Sequence, residues 1–280
     1  MTKRGWKIGD RIADLSTCGM IMGVLNITPD SFSDGGEFFD VERAVARGIE
    51  IASEGADMID VGGESTRPGA EPVSANQELK RVIPVIERLR SEIDIPISVD
   101  TSKGDVAAAA LDAGASIIND VTAGRADRRM LPLAATRKAA LVLMHMQGEP
   151  RTMQKNPHYS DVVREVGDFF RQQTYRAIEC GVDPMRLAFD PGIGFGKTLE
   201  HNLTLLKNLD QLRVHDRPLA VGVSRKSFLG KLAGSNEMSD RLAQTVGFTS
   251  ILRSRGADVL RVHDVKENVA SLRIAQVVLS

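Results

Sequence analysis

Met20-Ile21-Met22-Gly23-Val24-Leu25-Asn26 is an apolar run closed by one polar residue, and the chain repeats that arrangement to its end. Residues 58–59 lead into Asp60, 97–99 into Asp100, 117–118 into Asn119, and 139–144 into His145. Residues 187–189 lead into Asp190, 219–223 into Ser224, and 259–260 into Arg261 and His263, which makes eight runs. Near-continuous apolar runs suit strands covered on both faces, as in a parallel sheet. Amphipathic helical segments alternate with them, at 41–53, 78–92, 105–113, 161–179, 199–212, 240–253 and 267–278, with a shorter one at 127–135. Eight strands alternating with helices predict an α/β fold, a single (β/α)8 TIM barrel, whose chemistry sits at the C-terminal ends of its strands. The polar residues that close the runs then face one shared mouth.

The 280-residue chain shows no linker and no shift in composition, so it reads as one barrel domain over 20–280, with 1–19 as an N-terminal extension packed on or preceding it. A chain of this length buries about three quarters of its unfolded surface and needs no disulfide or metal staple. A formal net charge of −1, with no long run of one sign, argues against a nucleic-acid or membrane-surface partner. Cys18 and Cys180 fit no CxxC pattern and read as reduced thiols. Residues 1–10 carry Lys3, Arg4 and Lys7 without the apolar stretch of a signal peptide, which predicts a cytoplasmic protein. No run approaches the roughly 18 apolar residues of a membrane span. A weak internal echo recurs: Gly55-Ala56-Asp57, Gly114-Ala115-Ser116, Gly181-Val182-Asp183 and Gly256-Ala257-Asp258 each close a helical segment just before a strand.

Two connections, 28–40 and 62–73, are longer than the rest. The first holds Thr28-Pro29-Asp30-Ser31-Phe32-Ser33-Asp34-Gly35-Gly36, the second Gly62-Gly63-Glu64-Ser65-Thr66-Arg67-Pro68-Gly69. Glycine hinges beside Phe32, Asp34 and Arg67 predict flexible lids that close over a ligand. Polar loops without such a role remain the alternative.

At the strand ends, Asp100, Asn119 and Asp190 supply planar acceptors that suit a heterocycle with amino and ring N–H donors. A divalent-metal cluster is the other reading of the same three. Opposite them stand Ser224-Arg225-Lys226-Ser227 and Arg261-Val262-His263-Asp264, at the strands where barrels often bind phosphate with cations and a helix start. The site thus has an accepting half and an anion-binding half. His145 lines the pocket or only flanks it. His158, His201 and His215 read as surface or capping residues. Gly192-Ile193-Gly194-Phe195-Gly196 lacks the context of a dinucleotide fingerprint, and Lys197-Thr198 does not complete a P-loop.

These segments resemble the dihydropteroate synthase family. The resemblance runs from about Met20 to the C-terminus and rests on 23–36, 60–69, Asp190-Pro191-Gly192-Ile193-Gly194-Phe195, 224–227 and 261–264. It implies condensation of 6-hydroxymethyl-7,8-dihydropterin diphosphate with p-aminobenzoate, giving 7,8-dihydropteroate and diphosphate, in a sulfonamide-target enzyme of folate biosynthesis. It also implies roles. Asn119, Asp190 and Lys226 bind the pterin, with Met144 in the pocket; Asp100 favours the cation that forms as diphosphate leaves, and Arg261 stacks on the ring. Asn26, Thr66, Arg67, Arg261 and His263 hold the diphosphate, with Mg2+ bridging Asn26 to it. Phe32, Asp34, Pro68, Phe195, Lys226 and Ser227 belong to the lids and the p-aminobenzoate slot. Family members are often dimers, so a homodimer is expected. The rivals are a methyltetrahydrofolate–corrinoid methyltransferase barrel, which needs no diphosphate clamp, and a non-catalytic pterin-binding protein.

Overall fold

The structure is a computed structural model that describes residues 4–27, 36–65, 69–149, 152–234, 237 and 241–279; for 36–40, 227 and 233 it describes the backbone alone. Eight parallel strands form the barrel: β3 (Met20–Asn26), β4 (Met58–Gly62), β5 (Ile97–Asp100), β6 (Ile117–Asp120), β7 (Ala140–Met144), β8 (Leu187–Asp190), β9 (Ala220–Val221) and β10 (Val259–Val262). Each pairs with its sequence neighbour from β3 to β8, β10 lies between β9 and β3, and a bridge from Phe189 to Leu219 closes the ring. Outside stand α1 (Gly36–Ser53), α2 (Ala75–Glu92), α3 (Gly104–Asp112), α4 (Met130–Arg137), α5 (Val162–Glu179), α6 (Leu199–Lys207), α7 (Ser227–Ala233), α8 (Arg241–Ser254) and α9 (Val265–Leu279).

The period of two along a strand sorts the side chains. Ile21, Ile59, Val61, Val99, Ile118, Leu141, Leu143, Phe189, Val221 and Leu260 belong to the large core between the sheet and its helices. The alternate residues Met22, Met58, Ile117, Ala140, Val142, Ala188, Ala220 and Val259 pack in a second cluster inside the barrel. One further step of two from these inner residues reaches Val24, Asp60, Asn119, Met144, Asp190, Gly222 and Arg261. The same alternation that fills the barrel therefore aims the polar set into its mouth.

The extension before Met20 folds rather than trails. β1 (Gly5–Ile8) and β2 (Arg11–Asp14) form an antiparallel hairpin. Gly9 takes a positive φ of 56° in its two-residue turn, a conformation glycine adopts without Cβ strain. Trp6, Ile8 and Leu15 join the inner cluster, and Trp6 Nε1 donates to the Arg186 carbonyl at 3.0 Å. Burying roughly 200 Å² of indole contributes about 5 kcal/mol as an upper figure. That is enough to dock the hairpin as a plug under the barrel.

Helix starts follow local chemistry. Ser74 and Gln77 form a capping box on α2, Asp161 caps α5, and Thr198 with His201 caps α6, which settles His201 as a capping residue. Three boundaries differ from expectation. The segment 199–212 is α6 followed by a separate 3₁₀ turn, Leu209–Leu212, because Leu205, Leu209 and Leu212 keep an apolar face while the backbone tightens. The seventh strand is only Ala220–Val221, since Gly222 has no side chain to pack. α1 begins at Gly36, inside the connection expected to reach residue 40.

Candidate active site

The register lines up the strand ends. Asn26 pairs with Gly62, Gly62 with Asp100, and Asp100 with Asn119, so three polar side chains stand at one level around a glycine. Gly62 leaves the space between them open: a Cβ there would lie 3.5 Å from Asp100 Cβ and 3.6 Å from Asn26 Oδ1. One layer deeper, Asp60 is completely buried. Arg261 reaches across the barrel from β10, donating from Nε to Asp60 Oδ2 at 2.6 Å and from Nη2 to Asp100 Oδ2 at 2.7 Å. Asn119 Nδ2 donates to the same Asp60 oxygen at 2.9 Å. Asp60 is thus the base on which two expected site residues are mounted. Sequence reasoning marked it only as a run end and gave it no role.

Burial decides the electrostatics. Desolvation pushes the Asp100 carboxyl up to about 7, the Arg261 charge pulls it down, and Asp60, Glu78 and Asp120 add to the rise. The same loss of water raises Asp190, against the opposing pull of Lys226. Lys226 falls to about 8 for the mirror-image reason, with Asp190 holding it up. Arg261 is raised well above an ordinary guanidinium, because the attraction of Asp60 and Asp100 outweighs its desolvation. In the mouth burial favours the protonated form of carboxyls that a solvated surface would keep ionised near neutral pH.

Asp190 ends β8 beside Met144, its register partner on β7. Its Oδ1 accepts the Gly192 N–H at 2.7 Å, which fixes the carboxylate plane. Met144 lies in an apolar patch with Val121, Met146 and Met153, and Phe195 packs against it. Lys226, at the start of α7, donates from Nζ to the Ile193 carbonyl at 2.5 Å, and its ammonium stands 4.8 Å from the centre of the Phe195 ring. His263 Nδ1 is 3.0 Å from Ser224 Oγ, which joins the ends of the last two strands. Arg225, by contrast, turns out to an exposed pair with Asp264. Phe32, Asp34, Thr66, Arg67, Pro68 and the side chain of Ser227 lie outside the described residues.

Among the described residues no group of three or more His, Cys, Asp or Glu side chains could hold a metal ion. Asp100 gives one oxygen to Arg261, Asp190 gives one to the Gly192 N–H, and Asn119 turns its amide nitrogen to Asp60, so the three do not converge as a metal cluster. Asn26 Oδ1 is a different case, a single neutral oxygen near Asp100 at the rim. Mg2+ keeps most of its waters and takes one or two protein oxygens plus substrate phosphates, so this donor fits a metal that arrives with a diphosphate.

Residues 22–263 match the family described as pterin binding enzyme. The chain is 44% identical over 268 residues to the dihydropteroate synthase of Synechocystis, covering 96% of this chain and 93% of that protein. It is 45% identical over 260 residues to the Escherichia coli dihydropteroate synthase, covering 93% and 92%. Among solved structures, Xanthomonas albilineans dihydropteroate synthase with 4-aminobenzoic acid superposes with a TM-score of 0.92 at 45% identity, over 100% of this chain and 99% of that one. The same organism's enzyme in complex with 7,8-dihydropteroate gives 0.88 at 42% identity, over 99% of each chain.

Proposed function

The chain belongs to the pterin binding enzyme family, and from that premise we infer that it condenses 6-hydroxymethyl-7,8-dihydropterin diphosphate with p-aminobenzoate, giving 7,8-dihydropteroate and diphosphate. It is a transferase of folate synthesis. The observation that carries the reading is the pocket itself: the buried acids Asp60 and Asp100 of two adjacent strands tied by Arg261, with Asn119 of the next strand bonded to Asp60, opposite a lysine stacked on Phe195.

The chemistry asks little covalent work of the protein. The bond from the pterin's exocyclic methylene carbon to oxygen breaks, and its electron pair leaves with diphosphate. The p-aminobenzoate nitrogen then bonds to that carbon and loses a proton. Asp190 and Asn119 accept from the ring donors and fix the pterin plane. The Asp100 carboxylate stands where positive charge develops, and a fixed negative group in a dry pocket favours that charge. Arg261 lies beside it, suited to stacking on the ring and to the departing anion. His263, Thr66 and Arg67 complete the anion clamp. Asn26 would hold Mg2+, which supplies positive charge to the leaving diphosphate. Lys226, Phe195 and Ser227 border the p-aminobenzoate slot, with Met144 on the pterin side and Phe32, Asp34 and Pro68 in the lids.

Two further parts of the reading concern the whole molecule. A homodimer is supported by the apolar side chains that α8 and α9 leave exposed, Ile251, Ile274 and Val278 among them. A cytoplasmic location accords with the free cysteines; among the described residues no helix is long and apolar enough to cross a membrane. Diphosphate release is the decisive assay. It should require both substrates and be abolished when p-aminobenzoate is omitted; no release with both substrates present, or methyl transfer from methyltetrahydrofolate to a corrinoid in its place, would reject the assignment.

A further inference from the structure

Lys197 is a buried ammonium that the reaction does not use. It is 3% exposed. Its Nζ is satisfied by neutral acceptors: His145 Nδ1 at 3.0 Å, the His145 carbonyl at 3.4 Å and the Phe195 carbonyl at 3.0 Å. Three acceptors match the three protons of an ammonium. Burial, then the Lys197 and Arg125 charges, push His145 down to about 2, so the ring is neutral and its Nδ1 is free to accept. Burial also drives Lys197 itself down to about 7. An apolar side chain of the same length would avoid that desolvation cost.

The three acceptors join two loops. Gly192 and Gly196, both at positive φ, sit where a Cβ would come within 1.9 Å of the His145 carbonyl and 2.4 Å of the Gln147 carbonyl. Tyr159 Oη donates to the Gly196 carbonyl at 2.9 Å. The segment after β8 is therefore pressed against the segment after β7, and Lys197 is the stitch that holds the Phe195 backbone. On the far side of that stitch the Phe195 ring lies against the Lys226 ammonium.

We propose that Lys197 is a positioning residue: by tying the Phe195 carbonyl to His145 it fixes the Phe195 ring as a wall of the p-aminobenzoate slot. The proposal rests on the reading of Phe195 as that wall. It separates the slot from the Asp60, Asp100 and Asn119 side of the pterin pocket, which is set by the β-strand register and by Arg261; the contact of this loop with Asp190 runs through the Gly192 N–H, not through Lys197.

Steady-state kinetics on the full chain test it. Lys197→Met keeps the length of the stem and removes all three donors. KM for p-aminobenzoate should rise about tenfold, while kcat and KM for the pterin diphosphate stay within about twofold. Phe195→Ala should raise the same KM, and the double variant should be no worse than Phe195→Ala alone, since a missing wall cannot be misplaced. An unchanged KM in Lys197→Met beside a raised one in Phe195→Ala overturns the proposal and leaves the slot intact. An unchanged KM in Phe195→Ala rejects the slot reading, and the proposal with it. Equal losses for both substrates in Lys197→Met mark a general structural role and also overturn it. If Lys197→Met does not fold, His145→Phe, which removes the ring nitrogens and keeps the His145 carbonyl, decides: a rise confined to p-aminobenzoate supports the proposal, and no rise sinks it.

Discussion

The two ends of the barrel bury the same chemical groups and treat them in opposite ways. At the bottom a single carboxylate, Asp258, receives three guanidinium groups: Arg4 and Arg253 at 3.4 Å on Oδ1, and Arg213 at 2.7 Å on Oδ2. The Leu219 N–H adds a fourth contact at 2.9 Å. At the mouth the ratio reverses. Asp60 and Asp100 divide one guanidinium, and Asp60 Oδ1 is buried with no hydrogen-bond partner among the described residues. A buried acceptor left unpaired costs about 1–3 kcal/mol. The bottom spends its charges on holding the plug and the last strands together, whereas the mouth keeps acceptors that only a bound molecule with donors can satisfy.

That contrast is broken first at the bottom, where the largest effect is expected. Asp258→Ala strands three buried or half-buried cations, and removing one partner of a buried ion pair costs about 3–5 kcal/mol. Denaturant unfolding should show that loss. The fraction that remains folded should turn over normally, since no substrate reaches Asp258. A variant of wild-type stability would mean that the network is ornamental and the comparison false.

At the mouth the signs should invert. Asp190→Ala removes a charged acceptor for ring donors and should weaken pterin binding by about 1.5–3 kcal/mol, roughly ten- to a hundredfold or more. Its unfolding free energy should not fall, because burial already disfavours the charged carboxyl in the free protein. Calorimetry with the pterin and a melting curve on one preparation check both halves; unchanged affinity, or a large drop in stability, would contradict the division of labour.

How much of this was legible in the sequence follows from how far apart the partners lie. The strand ends could be read locally, since Asp100, Asn119 and Asp190 each close an apolar run and the period of two aims them inward. The function of Asp60 could not, because it depends on Arg261, 201 residues away, and on Asn119, 59 away. Lys197 was visible only as a failed P-loop, and nothing beside it in the chain announces that His145 will accept its hydrogen bond. Packing of the extension on the barrel was among the expectations, but its hairpin went unread for another reason. Trp6 and Ile8 alternate over a strand of only four residues, too short a pattern to stand out, although Gly9-Asp10 carried the turn signal.

The last test is a matter of pH, and it sharpens the comparison without altering its shape. Asp100 is raised from 3.8 to about 7, so the folded protein binds a proton there that the unfolded chain has already released. Between those values stability should fall as pH rises, the reverse of a paired acid, whose depressed value makes stability grow with pH. Activity runs the other way, because the carboxylate is the useful form. For the pterin substrate kcat/KM should climb through about pH 7 and decline above about 8, as Lys226 loses its proton. Asp100→Asn should flatten the acidic limb, keep the basic one and lower the plateau, since the amide carries no charge to favour the cation. It should also flatten the stability slope between pH 4 and 7, which ties both observations to one carboxyl. An acidic limb that survives Asp100→Asn at the same pH would assign it elsewhere and leave the mouth's surplus of buried acid without a catalytic consequence.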